Sequence, residues 1–224
     1  MAGREHIENE IKLLSVDRNS RLSYGTDPGN AINMLLKLFD GLGIKHGKVS
    51  FGEQTDRYYD DEDGTLFRMR SGIRVRKKNG TAEITLKTPS SGTKSSIGSV
   101  RNEKEYDIAD GDDAAEKMQS ILTDANLGRV MISKEPVVEV RTARHKIIIE
   151  ADGRESEFCL DKIRFFKDGA ESAPQYEIEV ESSDRVDTPK IKELTDSLIS
   201  EFGFVISGKS KYERGRDWVL NWNW

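Results

Sequence analysis

The sequence predicts an α+β chain dominated by antiparallel strands, with a sheet that closes around a charged inner face. Three observations lead there. Short segments with a two-residue hydrophobic period recur along most of the chain. One alternate set in these segments is charged, in both signs: Glu8/Glu10/Lys12, Arg74/Arg76, Glu83/Lys87, Glu103/Glu105, Glu177/Glu179/Glu181 and Lys209/Lys211. Only three stretches carry a helical stripe. A single strand of this kind reads as part of an open sheet with one solvated face. Six of them with clustered opposite charges favour a closed sheet, with helices on its apolar outside and a polar lumen within.

The composition agrees. The chain has 224 residues, 35 Lys and Arg against 40 Asp and Glu, and a formal net charge of −5, so it has no overall basic surplus for nucleic acid. Hydrophobic residues make up 35% and charged ones 33%, with a mean hydropathy of −0.65, so charge occupies positions that a conventional core gives to apolar groups. One cysteine, Cys159, excludes an internal disulfide framework and a cysteine-based zinc site. No run approaches the roughly 20 apolar residues of a spanning helix, and the first residues lack an apolar signal region. A soluble, cytoplasmic protein is expected.

The elements follow in order. His6 to Leu14 alternates as a strand. Asp27-Pro28 opens a helix whose stripe is Ile32, Leu35, Leu36, Phe39 and Leu42, ended by Gly43. Gln54 to Asp60 reads as a strand, and Ile73 to Lys78 with Thr81 to Thr88 as a hairpin turning at Asn79-Gly80. A low-complexity loop spans 89–99, and Arg101 to Ile108 is strand-like. A second helix covers Asp112 to Asn126. Strands recur at Val137 to Thr142, Lys146 to Ala151, Glu157 to Ile163 and Gln175 to Glu181. Thr188-Pro189 starts a third helix, stopped by Gly203, and Val205 to Tyr212 alternates as a last strand. Gly203 to Ser210 also fits the G-x4-G-K-[ST] phosphate loop. That loop needs a strand before its first glycine, whereas here a helix precedes it, so the pattern is set aside. His6, His46 and His145 show no metal-ligand spacing. Trp218, Trp222 and Trp224 form an aromatic tail expected to pack on the barrel exterior.

Glu8-Asn9-Glu10-Ile11-Lys12 resembles the Glu-x-Glu-x-Lys signature that opens proteins of the CYTH, or triphosphate tunnel metalloenzyme, family. The resemblance continues in order through Ile73-Arg74-Val75-Arg76, Thr85-Leu86-Lys87, Arg101 to Glu105, Arg141-Thr142-Ala143-Arg144, Leu160-Asp161, Tyr176-Glu177-Ile178-Glu179 and Lys209-Ser210-Lys211-Tyr212. It covers nearly the whole chain and implies a CYTH domain over residues 1–212, with 213–224 as the tail. It implies a barrel of about eight strands whose tunnel binds a triphosphate through Mg²⁺ or Mn²⁺. Glu8, Glu10, Glu177 and Glu179 are then the expected metal ligands, and Glu181 is expected at the rim. Lys12, Arg74, Arg76, Lys87, Arg141, Arg144, Lys209 and Lys211 are expected to hold phosphate, since Arg forks and Lys charges suit phosphate oxygens. Glu10, Lys12, Arg76 and Lys87 are the expected catalytic set, with Glu10 aligning the attacking water.

Within such a family the chemistry divides. One branch hydrolyses a terminal phosphate, and class IV adenylyl cyclases make cyclic AMP from ATP; a tunnel retained only to bind polyphosphate or nucleotide is the non-enzymatic alternative. Hydrolysis is the expectation. The expected partner is a small molecule carrying a triphosphate; no nucleic acid is expected, an RNA 5′-triphosphate end being left open. No membrane partner is expected, and the chain is expected to be a monomer or a homodimer.

Overall fold

The structure is a computed structural model and describes residues 3–15, 27–90, 98–109 and 112–221. In chain order its elements are β1 (Arg4–Ser15), α1 (Pro28–Leu42), β2 (Lys45–His46), β3 (Ser50–Tyr59), α2 (Thr65–Arg68), β4 (Gly72–Lys78), β5 (Thr81–Pro89) and β6 (Ser99–Ile108). Then come α3 (Ala114–Asp124), β7 (Val138–Ala151), β8 (Arg154–Lys167), β9 (Ala170–Glu171), β10 (Gln175–Ser182), α4 (Pro189–Phe202), β11 (Phe204–Ile206) and α5 (Lys211–Asn221). No helix of the described residues is long and apolar enough to cross a membrane.

Eight strands form a closed antiparallel barrel in the order β7-β3-β4-β5-β6-β1-β10-β8, and the pairing of β8 with β7 completes the circle. An eight-stranded barrel is just wide enough inside for side chains or one small ligand. The outward set of alternate residues is apolar and covered by helices. Ile11, Leu13, Ile147, Ile149, Phe158, Leu160, Ile178 and Val180 pack under α1 and α4. Ile73, Val75, Ile84 and Leu86 pack under α3 and Leu66. Each of these large side chains contributes about 1.5–3 kcal/mol by leaving water. Local signals set the boundaries. Thr188 caps α4 by accepting from the Ile191 amide, Gly43 and Gly203 end α1 and α4 in left-handed conformation, and Asn79 and Gly80 both take positive φ in the β4–β5 turn.

Two expectations are corrected. The segments expected at Val137 to Thr142 and Lys146 to Ala151 are joined in one continuous strand, β7, which pairs with β3 over 138–146 and with β8 over 139–151. The last strand stops at Ile206, and Lys211 opens a helix instead. The reason is a capping box. Ser210 Oγ accepts from the Glu213 amide at 3.2 Å while the Glu213 carboxylate accepts from the Ser210 amide at 2.7 Å. Helix α5 crosses the expected boundary at 212/213, so residues 213–221 continue the helix that Lys211 opens. Most of the loop at 89–99, Trp222 and Trp224 lie outside the described residues.

Helix α5 closes one end of the barrel. Tyr58, Val138, Val140, Ile163 and Phe165 point inward there and form an apolar cluster with Tyr212. Tyr212 stacks on Tyr58 with ring centroids 5.2 Å apart, and Trp218 stacks on Phe165 at 6.3 Å. Trp218 therefore packs against inward-facing residues rather than on the barrel exterior. Gly215 lets the helix come this close, because a Cβ there would lie 3.1 Å from both Phe165 and Val138.

Candidate active site

The inward set of alternate residues converts strand register into ion pairs. Register places Arg76 opposite Asp56, Lys87 opposite Glu103, Arg144 opposite Asp161, Glu10 opposite Glu181 and Lys12 opposite Glu179. Arg76 grips Asp56 with two bonds of 2.6 and 3.0 Å, and Arg144 grips Asp161 with two of 2.8 and 2.7 Å. Lys87 donates to Glu8 at 2.7 Å and lies 3.2 Å from Glu103; Lys12 donates to Glu10 at 2.7 Å. Arg74 lies 3.5 Å from Glu103 and 3.8 Å from Asp56. The cavity between these walls has a volume of about 360 Å³.

The expected metal set is divided between two carboxylate trios. Glu8 and Glu10 meet Glu181, whereas Glu177 and Glu179 meet Asp161; within each trio, oxygens lie within 4.8 Å of one another. Glu181, half-buried, thus groups with the first pair. The trios differ in charge compensation. Burial pushes the Glu181 carboxyl up to about 8, helped by the charges of Glu179 and Glu8. Among the described residues, Glu181 has no ion pair within 4.0 Å. Burial opposes ionisation of Glu10, as does the Glu179 charge, but Lys12 and Lys87 together outweigh them and lower that carboxyl to about 2. The second trio is filled by cations. Lys211 reaches Glu177, Glu179 and Asp161, Arg144 binds Asp161 and Glu179, and Arg214 lies 2.6 Å from Glu177. Burial opposes the ionised form of Glu179, yet Lys211, Arg144 and Lys12 together keep its carboxyl well below the usual range.

Of the expected phosphate contacts, Lys12, Arg74, Arg76, Lys87, Arg144 and Lys211 line the cavity. Arg141 does not. It lies three residues from Arg144 and so on the opposite face of β7, exposed, over the Phe166 ring and bonded to Glu139. Lys209 does not either: it is exposed and donates to Asp217 at 2.7 Å, because the chain has left the strand before reaching it. Glu103, already in the charged alternation, and Asp161, already in the resemblance, join the network although neither was given a site role. Asp56 and Arg214 were not singled out at all; Asp56 shares inward parity with Gln54 and Tyr58, so alternation could have found it. Arg214 lies on a helix, where strand parity gives no signal.

Some polar atoms in the wall lack a partner. Gln54 Nε2, Arg74 Nε, Thr85 Oγ1 and Thr142 Oγ1 are buried with no hydrogen-bond partner among the described residues. An anion seated in the lumen has acceptors for the Gln54 and Arg74 donors.

A family model described as the CYTH domain matches residues 27–214. That match starts after β1, yet the barrel places Glu8, Glu10 and Lys12 in the lumen with the matched strands. Similar folds occur in solved structures. A Bacillus halodurans protein provisionally named an adenylate cyclase shares 19% identity, with 94% of this chain and 97% of that one covered and a TM-score of 0.55. A Hippeastrum protein, provisionally named an adenylyl cyclase and described as having a dominant triphosphatase activity, shares 21% identity over 94% and 95%, with a TM-score of 0.53. At these identities the likeness concerns the fold alone. The family match, spanning most of the barrel, establishes that this chain belongs to the CYTH family.

Proposed function

We propose that the chain is a metal-dependent triphosphatase that hydrolyses the terminal phosphoanhydride bond of inorganic triphosphate or a small organic triphosphate held in the barrel. The observation that carries this reading is the meeting, in one lumen, of a cationic wall (Arg74, Arg76, Lys87) with an under-compensated trio, Glu8, Glu10 and Glu181. The trio fits a hard divalent cation such as Mg²⁺ or Mn²⁺: all its donors are carboxylate oxygens, and among the described residues Glu181 has no cation within 4.0 Å, Arg144 and Lys87 acting on it from farther away. Glu177 and Glu179, already held by Lys211, Arg214 and Arg144, fit a metal less well. A divalent cation in the first trio would supply charge neutralisation of phosphate oxygens and acidify an attacking water.

The protein's own groups do the rest. Arg74, Arg76, Lys87 and Arg144 give fixed donors to the phosphate chain, and Lys12 and Lys211 add point charges on the opposite wall. These donors are preorganised by their carboxylate partners, so little reorganisation accompanies charge development at the leaving oxygen. Glu10, ionised and weakly basic, accepts a hydrogen bond from the nucleophile and aligns it instead of taking its proton outright.

The lining also favours hydrolysis over cyclisation. Among the described residues its Phe, Tyr and Trp side chains are Tyr58 and Tyr212, and each has one ring face taken up by the other, which leaves little stacking surface for a nucleobase. The triphosphatase activity of the Hippeastrum protein belongs to a neighbour of the same fold, and is an analogy only. The test is product analysis with tripolyphosphate and ATP, in Mg²⁺ or Mn²⁺. Orthophosphate release, with ADP from ATP and no activity in excess EDTA, is expected. Cyclic AMP and pyrophosphate as the main products would replace the hydrolase reading by the cyclase one and leave the fold untouched.

A further inference from the structure

Arg214 follows Lys211 by three residues on α5, so both project from one helix face toward the closed end of the lumen. Lys211 lines the cavity, whereas Arg214 lies behind it. The Arg214 side chain is only 6% exposed. Its Nη1 lies 2.6 Å from Glu177 and donates to the Lys209 carbonyl at 3.1 Å, and its Nε donates to Gln175 at 3.1 Å. Glu177 is fully buried and does not line the cavity. Among the described residues its carboxylate has two cationic partners within 4.0 Å, Lys211 in front and Arg214 behind.

This layering decides what Lys211 is free to do. A phosphate chain entering the lumen competes with Glu177, Glu179 and Asp161 for the Lys211 ammonium. Glu179 and Asp161 keep Arg144 when Lys211 turns away. Among the described residues, Glu177 then keeps Arg214 as its one cation within 4.0 Å. Without it, the exchange would strand a buried carboxylate, which is a heavy penalty. We propose that Arg214 is a positioning residue that neutralises Glu177 from behind and so releases Lys211 to bind the phosphate chain; this inference rests on the triphosphate reading of the lumen.

The test is calorimetric binding of non-hydrolysable imidotriphosphate with Mg²⁺, in a double-mutant cycle. Arg214→Gln should weaken binding about tenfold, the scale of one charge-assisted hydrogen bond. Arg214→Lys, which restores the charge, should bind within about threefold of wild type. Lys211→Ala should weaken binding at least as much as Arg214→Gln. Combining Lys211→Ala with Arg214→Gln should weaken it no further, because Arg214 acts through Lys211. All three tryptophans lie at 218–224, so an unshifted tryptophan emission shows that α5 is still docked. Wild-type affinity in Arg214→Gln, additive losses in the double variant, or a tenfold loss in Arg214→Lys would each overturn the proposal. So would a red-shifted emission accompanying the loss, which would make Arg214 a docking residue. Failure of the wild type itself to bind would instead overturn the triphosphate reading, and this inference with it.

Discussion

Lys209 and Lys211 are two positions apart, yet one is held at the surface by Asp217 and the other lies against three carboxylates in the lumen. Lys209→Ala should therefore leave KM within about twofold of wild type, while Lys211→Ala raises it about tenfold or more, as a lost charge-assisted contact does. Equal effects in steady-state kinetics would return both to one strand face. Asp56 makes a second residue-scale case. It is fully buried between Arg76 and Arg74. Burial opposes its ionised form, but those two guanidinium groups hold its carboxyl well below the ordinary 3.8. A carboxyl depressed by folding adds stability that is fully present above its unfolded value and lost as pH falls toward its folded one. Asp56→Asn should cost about 3–5 kcal/mol at pH 7, since it strands a buried cation. The gap from wild type should narrow below about pH 4 in denaturant titrations. A gap that widens in acid would contradict the pairing.

At the scale of elements, α5 ties sequence to site most directly. Its N-terminal capping box fixes where Lys211 begins a helix, and Gly215 fixes how deeply the helix sits. Gly215→Ala would press a methyl group against Phe165 and Val138 and should cost about 1–3 kcal/mol, an overpacking effect. Calorimetry should show a melting temperature lower by several degrees, with α5 fluorescence shifted to the red. An unchanged melting temperature would mean that the barrel end is not closed this tightly. The same helix marks the limit of what alternation reveals. Charged alternation identified β1, β4, β5, β6 and β10, because a half-buried strand repeats every two residues. Lys209-Ser210-Lys211 imitates that period over too short a span to distinguish it from a helix start, though Ser210 followed by Glu213 carried the opposing signal. The pair Arg141 and Arg144 failed for a related reason: residues three apart cannot share a strand face. The two carboxylate trios depend on which strands become neighbours, and one strand's period does not contain that information.

For the molecule as a whole, the charge inside the barrel sets how ligands must arrive. Nine Lys and Arg residues line the cavity against eight Glu; with buried Asp56, Asp161, Glu177 and Arg214 the network holds ten cations and eleven carboxyls, one of which, Glu181, burial keeps largely protonated near pH 7. The metal-free lumen is thus close to neutral, held by cross-strand pairs rather than poised as a basic trap. A triphosphate carries about four negative charges near neutral pH, and inserting it alone would leave carboxylates displaced from their cations without compensation. A divalent cation alone meets the reverse problem, since Lys87 and Lys12 already occupy two members of the first trio. On the proposed reading the two ligands would exchange partners: Glu8, Glu10 and Glu181 would hold the cation, and Lys87 and Lys12 would be free to turn to phosphate. Binding of metal and triphosphate should therefore be strongly coupled, each raising the affinity for the other by the same factor. We expect at least tenfold in calorimetric titrations with imidotriphosphate, done with and without Mg²⁺. In thermal unfolding, a hundredfold excess of ligand over its dissociation constant adds about 2.7 kcal/mol. That gain should appear with both ligands present, and imidotriphosphate in EDTA should move the melting temperature by less than about 1 °C. A full shift in EDTA would show that the cationic wall binds phosphate on its own, and the carboxylate trio would then need another purpose.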